Sequence, residues 1–174
     1  MDIYQIWTKY NKQWTKHEIL IFSIILIFTI TISIICIIKK KVYVIQGIAA
    51  VILIGFLGIV FGSTVFTRPV TVRQYELIPF WSWKTVICYH DKELLKENLL
   101  NCILLFPVGM LLPEIVMRKV KWYQALWVGI LISTTIEVSQ LLFMCGLFEW
   151  DDIIHNGLGC MVGSLLMNNL FKKR

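Results

Sequence analysis

STTIEVSQLLFMCGLFEWDDIIHNGLGCMVG, residues 133–163, joins two strongly apolar segments through a short acidic junction. In helical register Ser133, Glu137 and Gln140 fall at i, i+4 and i+7 and line one face, and Asp152 and Asn156 line one face of the next helix. His155 sits beside them. Ionisable groups near hydrocarbon are costly and are found facing a bundle interior or a wet cavity where they have partners. The two polar stripes are therefore expected to face each other.

The rest of the chain agrees with a membrane setting. Of 174 residues, 57% are hydrophobic and only 16% are charged, too little polar surface to cover a soluble domain. Ile19 to Ile38 holds about 20 residues without a charge, the length that a hydrocarbon core of roughly 30 Å requires. A secretory signal peptide is the alternative for this run, since Lys9, Lys12 and Lys16 precede it. It is too long for such a signal, lacks a small-residue cleavage site and ends in Lys39–Lys41, so an uncleaved anchor is the expectation. Further spans are expected over Val42–Phe66, Leu99–Leu112, Trp122–Phe143 and Ile153–Phe171. The fold class is thus an all-α, polytopic transmembrane helical bundle of about five spans. Gly58 with Gly62 and Gly159 with Gly163 have the small-xxx-small spacing that lets helix backbones approach closely.

Between spans two and three, Pro69 and Pro79 break any continuous helix. Leu77 to Trp83 is apolar, tryptophan-rich and too short to span, so Trp81 and Trp83 are expected to anchor an interfacial or re-entrant segment. A plain surface loop with aromatic anchors is the alternative. With five spans, Lys39–Lys41, the Arg118, Lys119 and Lys121 cluster and the Lys172–Arg174 tail share one side, nine basic residues in three short segments. Lys9, Lys12, Lys16, Arg68, Arg73, Lys84, Lys92 and Lys96 lie on the other, more thinly spread. Dense short clusters mark the inner side, which predicts a multi-pass cell-membrane protein with C-terminus cytoplasmic, N-terminus outside and the acidic junction on the outer face.

On that outer side Asn98 and Asn101 add amides next to Glu97. Arg68 and Arg73 are the available cations for Glu137, Asp151 and Asp152, because a buried carboxylate beside a guanidinium stays ionised. One outward-opening polar site is expected, built from Arg73, Asn98, Asn101, Glu137, Gln140, Asp151, Asp152 and Asn156, with Glu137, Asp152 and Arg73 as its charged core. The plainer alternative is that these groups only hydrogen-bond helices together, at roughly 1 kcal/mol or less per contact. The five cysteines, odd in number and mostly within spans, act as small apolar residues. A net charge of +6 is explained by basic residues at span ends near anionic headgroups, so no nucleic acid is implied. No metal and no cofactor is expected either: carboxylates, a histidine and amides would suit a divalent metal, but there is no diagnostic spacing such as H-E-x-x-H, a nucleophile elbow or a phosphate-cradling glycine loop.

Taken in order, Arg73, Leu77 to Phe80, Asn98 to Asn101, Phe106 to Gly109, Ile136-Glu137-x-x-Gln140 and Asp151 to Gly163 resemble the motifs of the VanZ-like family. The resemblance covers residues 65–174 as a membrane core and leaves 1–64 as an N-terminal pair of transmembrane helices. The chain departs from the family pattern twice. Glu76 stands where the family usually has Asn, and Gly146 or Leu147 stands where it usually has an Arg between the Gln and the double Asp. Arg73 or Arg68 must then neutralise the junction, or the site carries extra negative charge.

The resemblance implies an association with low-level resistance to teicoplanin, a lipid-tailed glycopeptide acting on peptidoglycan precursors outside the membrane. The favoured reading is a non-enzymatic protein that binds an amphiphile at the outer polar groove, with membrane lipid, the lipoglycopeptide antibiotic or a peptidoglycan precursor as partner. An intramembrane enzyme acting on an envelope glycolipid is the second reading, with Glu137 or Asp152 as general acid or base and His155 as a further titrating group. A small carrier or channel is the third, and it would call for internal repeats that five unequal spans do not contain.

Overall fold

The computed structural model describes residues 12–171; Lys9 and the Lys172–Arg174 tail, which entered the charge count, lie outside them. Helix α1 (Lys16–Ile38) begins at a capping box in which Glu18 N donates to Thr15 Oγ1 and Thr15 N donates to Glu18 Oε2. Helix α2 (Val44–Phe61) runs into a π-helical turn over Gly62–Phe66. Then come β1 (Gln74–Glu76), α3 (Trp81–Tyr89), α4 (Lys92–Leu104), α5 (Phe106–Val116), α6 (Trp122–Phe143), β2 (Leu147–Glu149) and α7 (Trp150–Phe171).

Four helices among the described residues are long and apolar enough to cross a membrane: Lys16–Ile38, Val44–Phe66, Lys92–Val116 and Trp122–Phe143. The third of these is α4 and α5 together and is longer than the Leu99–Leu112 read from the sequence. It breaks at Leu105 because Pro107 has no N–H to return to the preceding turn, and the Leu105 side chain fills the bundle at the break, fully buried. The segment expected as a fifth span forms a helix, α7, of 22 residues. It is long enough to cross a bilayer at 1.5 Å per residue but is too polar to stand among the four apolar helices.

Its surroundings explain how so polar a helix is accommodated. α7 packs against α4, α5 and α6, and glycines let it lie close. A Cβ on Gly159 would come within 1.7 Å of the Cys102 carbonyl oxygen, and one on Gly163 within 2.2 Å of that of Phe106. On the opposing helix, a Cβ on Gly109 would meet the Cys160 carbonyl oxygen at 1.9 Å. Backbone-to-backbone approach of this kind excludes any side chain at the seam. Leu105, Val108 and Cys160 form one buried apolar cluster beside it, and Val60, Val65, Ile136 and Cys145 form another that ties α2 to α6.

The all-α reading needs one correction. β1 and β2 pair in parallel, with Gln74 opposite Leu147, Tyr75 opposite Phe148 and Glu76 opposite Glu149. Three-residue strands are too short to carry an alternating pattern, so the ribbon leaves no periodic mark in the sequence.

Tertiary bonds gather the connections at two ends of the bundle. At one end Lys12 N donates to Thr67 O and Thr71 N to Met144 O, both at 2.6 Å, so the start of α1, the end of α2, the ribbon and the acidic junction lie together. At the other, Gln46 Nε2 donates to Ile115 O at 2.7 Å, and Asn168 Oδ1 accepts from Val120 N at 3.0 Å. The Lys39–Lys41 and Arg118–Lys121 clusters share that second end.

Candidate functional site

The site is assembled where α3 docks on the start of α7. Phe80, the residue before α3, adopts a left-handed backbone conformation (φ 63°) and offers no side-chain cap, so the helix start needs an acceptor from elsewhere. Asp151 supplies it. One carboxylate oxygen accepts from Phe80 N and the other from Ser82 N at 3.0 Å and from the Ser82 hydroxyl. A remote carboxylate thus caps a helix N-terminus, where the helix dipole also favours negative charge. Two indoles follow the same direction: Trp81 Nε1 donates to Glu149 Oε1 at 2.9 Å and Trp83 Nε1 to His155 Nε2 at 2.7 Å. The Trp83 and His155 rings meet edge-on, with centroids 5.8 Å apart. Phe80 to Trp83 is therefore bonded, residue by residue, to Glu149, Asp151 and His155.

Beneath α3 lies a polar layer shared by α4, α6 and α7. Asn98 Nδ2 donates to Ser82 Oγ at 3.1 Å, and Asn101 Nδ2 to Asp152 Oδ1 at 2.5 Å. Glu137 Oε2 accepts from Glu149 N at 3.1 Å, which holds the end of β2 over α6. One turn deeper, Asn156 Nδ2 donates to Ser133 Oγ at 2.9 Å, and the Asn156 side-chain oxygen Oδ1, although buried, has no partner. Gln140 Nε2 reaches Thr64 O at 3.0 Å, binding α6 to the π-helical turn. Asn98, Glu137, Gln140, Asp151, His155 and Asn156 are all buried. The two stripes expected from the sequence do face each other.

The charges in the layer are unequal. Asp152 and Glu149 act on Glu137, Asp151 and Glu97 act on both Asp152 and Glu149, and Arg68 is the cation that acts on both Glu137 and Asp152. On β2, outside the helices, burial and then the charge of Asp152 push the Glu149 carboxyl up to about 7. Among the described residues no three of His, Cys, Asp and Glu are placed to hold a metal ion together.

The structure brings Asn98, Asn101, Glu137, Gln140, Asp151, Asp152 and Asn156 to one end of the bundle. Arg73 lies at the same end but outside the layer, exposed and donating through Nε to Leu141 O at 3.3 Å; the cation that acts on the layer is Arg68. The roles also divide more finely than expected. Asp151 is committed to capping α3, and His155 gives its Nε2 to Trp83 while its Nδ1, also buried, has no partner. Trp81 and Trp83 are half-buried with their N–H groups turned inward, whereas Leu77, Ile78, Phe80, Ile87 and Tyr89 point outward, each more than half exposed. Sequence reasoning misses Ser82 and Glu149. Pro79 two residues before α3, and a third acidic residue two before Asp151, are the only signals that point to them.

Neither the curated proteins nor the solved structures contain a match to the chain. The sequence model of one family, VanZ/LLP1, matches residues 43–172. That span takes in α2 and every element of the polar layer, and the chain belongs to the VanZ/LLP1 family.

Proposed function

We propose that this membrane protein binds the headgroup of an amphiphile at the polar layer under α3, on the outer face of the cell membrane, and in doing so contributes to low-level resistance to the lipid-tailed glycopeptide teicoplanin. The observation that carries the reading is the contrast at α3. Its inner side is held by the Asp151 and Glu149 carboxylates and an imidazole, and its outer side offers Leu77, Ile78, Phe80, Ile87 and Tyr89. A molecule with a donor-rich headgroup and an apolar tail matches both halves, since carboxylates accept hydrogen bonds and outward aliphatic and aromatic groups sit well at the level of lipid headgroups. The residues of the binding site are Asn98, Asn101, Glu137, Gln140, Asp151, Asp152 and Asn156, with Arg68 in the place given to Arg73 by sequence reasoning.

In this reading α7 is a fifth span, shielded from lipid by α4, α5 and α6, and the 67–91 connection is interfacial. The densely basic end, with Lys39–Lys41 and Arg118–Lys121, faces the cytoplasm, as does the C-terminus. The partner is the antibiotic itself or a membrane-bound envelope precursor.

The test compares a susceptible Gram-positive host expressing the wild type with one expressing Glu137→Gln at equal membrane levels. Protection against teicoplanin but not against vancomycin, which lacks the lipid tail, is expected from the wild type and is expected to be lost in the variant. Equal susceptibility of the wild-type and empty-vector hosts to teicoplanin would overturn the resistance role.

A further inference from the structure

We infer that the groove between α1 and α2 is a binding site for one acyl chain of a membrane phospholipid. Ile21, Phe22 and Ile25 on α1 and Ile54, Leu57 and Phe61 on α2 line a cavity of about 250 Å³ whose walls are almost wholly apolar. Each set lies on one face of its helix, since residues three, four and seven apart share a face. Trp14 and Phe66 stand at one end of the groove. From Trp14 to Ile25 it follows α1 for about 15 Å at 1.5 Å per residue, about the depth of one leaflet of a hydrocarbon core of roughly 30 Å. Both helices belong to the four that are long and apolar enough to cross a membrane, so the groove faces hydrocarbon. Near Trp14, Lys12 N donates to Thr67 O, which puts the mouth at the end of the bundle that carries the polar layer.

The shape of the groove is fixed by aromatic rings seated on glycines. A Cβ on Gly58 would come within 1.9 Å of the Phe22 ring and one on Gly62 within 2.0 Å of the Trp14 ring, and the two rings meet edge-on with centroids 5.7 Å apart. The rings brace the helices, and the space beside them stays open. Water gains nothing there, because it needs polar partners. An acyl chain recovers the dispersion contacts that an empty groove forfeits. At the mouth, Lys12 and Lys16 are exposed, while Glu18, the acidic residue of the lining, is turned to the Thr15 N–H at 2.7 Å. A tryptophan suited to the headgroup level, lysines for a phosphate and an apolar trough one leaflet deep together match a phospholipid. α1 buries none of its residues and lies outside the matched residues 43–172, so the groove is made by the family region and a helix beyond it. The inference therefore goes beyond the amphiphile reading, which uses none of these residues.

The experiment places the full chain in nanodiscs of phosphatidylglycerol that carry a trace of the same lipid with a diazirine midway along one acyl chain. After photolysis the crosslinked residues are mapped by mass spectrometry. In the wild type, crosslinks are expected to concentrate on Ile21, Ile25, Ile54 and Leu57. They should lie well above those on Ile27, which is 63% exposed at the depth of Ile25 but about 200° from it around α1. Ile25→Trp and Ile54→Trp fill the groove from its two walls and should bring the yield on Ile21 and Leu57 down to the Ile27 level. Ile27→Trp should leave that yield unchanged. An even yield over the groove and the back of α1 is what fluid lipid gives, and it would overturn the site. A dimer that Ile25→Trp dissociates would also overturn it, by assigning the groove to a second copy of the chain. Should neither filled variant accumulate, the wild-type map decides the question alone. The readout needs no drug, so its failure and the failure of the amphiphile reading are distinguishable.

Discussion

Two glycine seams run through this bundle, and they hold different kinds of partner. Between α1 and α2, Gly58 and Gly62 make room for aromatic rings: a Cβ would strike the Phe22 ring at 1.9 Å and the Trp14 ring at 2.0 Å. Between α7 and the α4–α5 pair, Gly159, Gly163 and Gly109 face backbone carbonyls. A ring can rotate away at modest cost, and a backbone cannot. The first seam joins to the bundle a helix that buries none of its residues. The second fixes the depth at which Asp152, His155 and Asn156 lie against α4 and α6. The same sequence pattern, two glycines four apart, therefore fastens an accessory helix in one place and sets the geometry of the candidate site in the other.

Substitutions can break or sharpen this contrast. Gly159→Leu should be the most damaging change, at about 3 kcal/mol or more, because overpacking against a backbone has no side-chain escape; little folded protein is expected by fluorescence-detected size exclusion. Gly58→Leu, by comparison, should cost about 1 kcal/mol as Phe22 swings aside. Equal losses for the two would mean that the seams do not differ. Asp151→Ala comes next, at about 2–3 kcal/mol, since it strips the acceptor from two backbone N–H groups and a hydroxyl at the start of α3. Proteolysis between β1 and α4 should accelerate in that variant while the apolar helices stay protected. Trp83→Phe removes one bond to His155 and should cost about 1 kcal/mol in thermal unfolding.

The smallest effect is a pH dependence. The Glu149 carboxyl is raised from 4.5 to about 7 by burial. The folded state therefore holds its proton more tightly than the unfolded chain does. The stability tied to this group is fully present below the unfolded value and is lost as pH rises through about 7. In Glu149→Gln the unfolding midpoint should fall less between about pH 5 and pH 8 than in the wild type; an unchanged slope would show that Glu149 does not titrate in that window.

The membrane helices are legible in the sequence because a run of about 20 apolar residues without a charge matches the thickness of a bilayer and little else. The facing stripes are legible because helical periodicity places Ser133, Glu137 and Gln140 together whatever the tertiary detail. The remainder depends on contacts that leave no periodic trace. Arg68 and Arg73 both follow the end of α2, and only tertiary contacts separate them: Arg68 Nη1 lies beside Gly146, whereas Arg73 Nε turns to Leu141 O. Trp81 and Trp83 have the composition of a headgroup anchor, yet their indole N–H groups are engaged by Glu149 and His155, so the outward surface falls to their apolar neighbours. The cap of α3 comes from 71 residues further along the chain, a distance over which local pattern carries no information.

The central claim is that the polar layer and α3 lie at the outer face. Cys88, exposed on α3, reports on it directly. In intact cells, a membrane-impermeant maleimide should label wild-type protein and should fail to label Cys88→Ser. Arg118→Cys in the Cys88→Ser background, at the opposite end of the bundle, should react only after the cells are permeabilised. Labelling of Arg118→Cys in intact cells, with Cys88 reacting only after permeabilisation, would contradict the account and put the site on the cytoplasmic side.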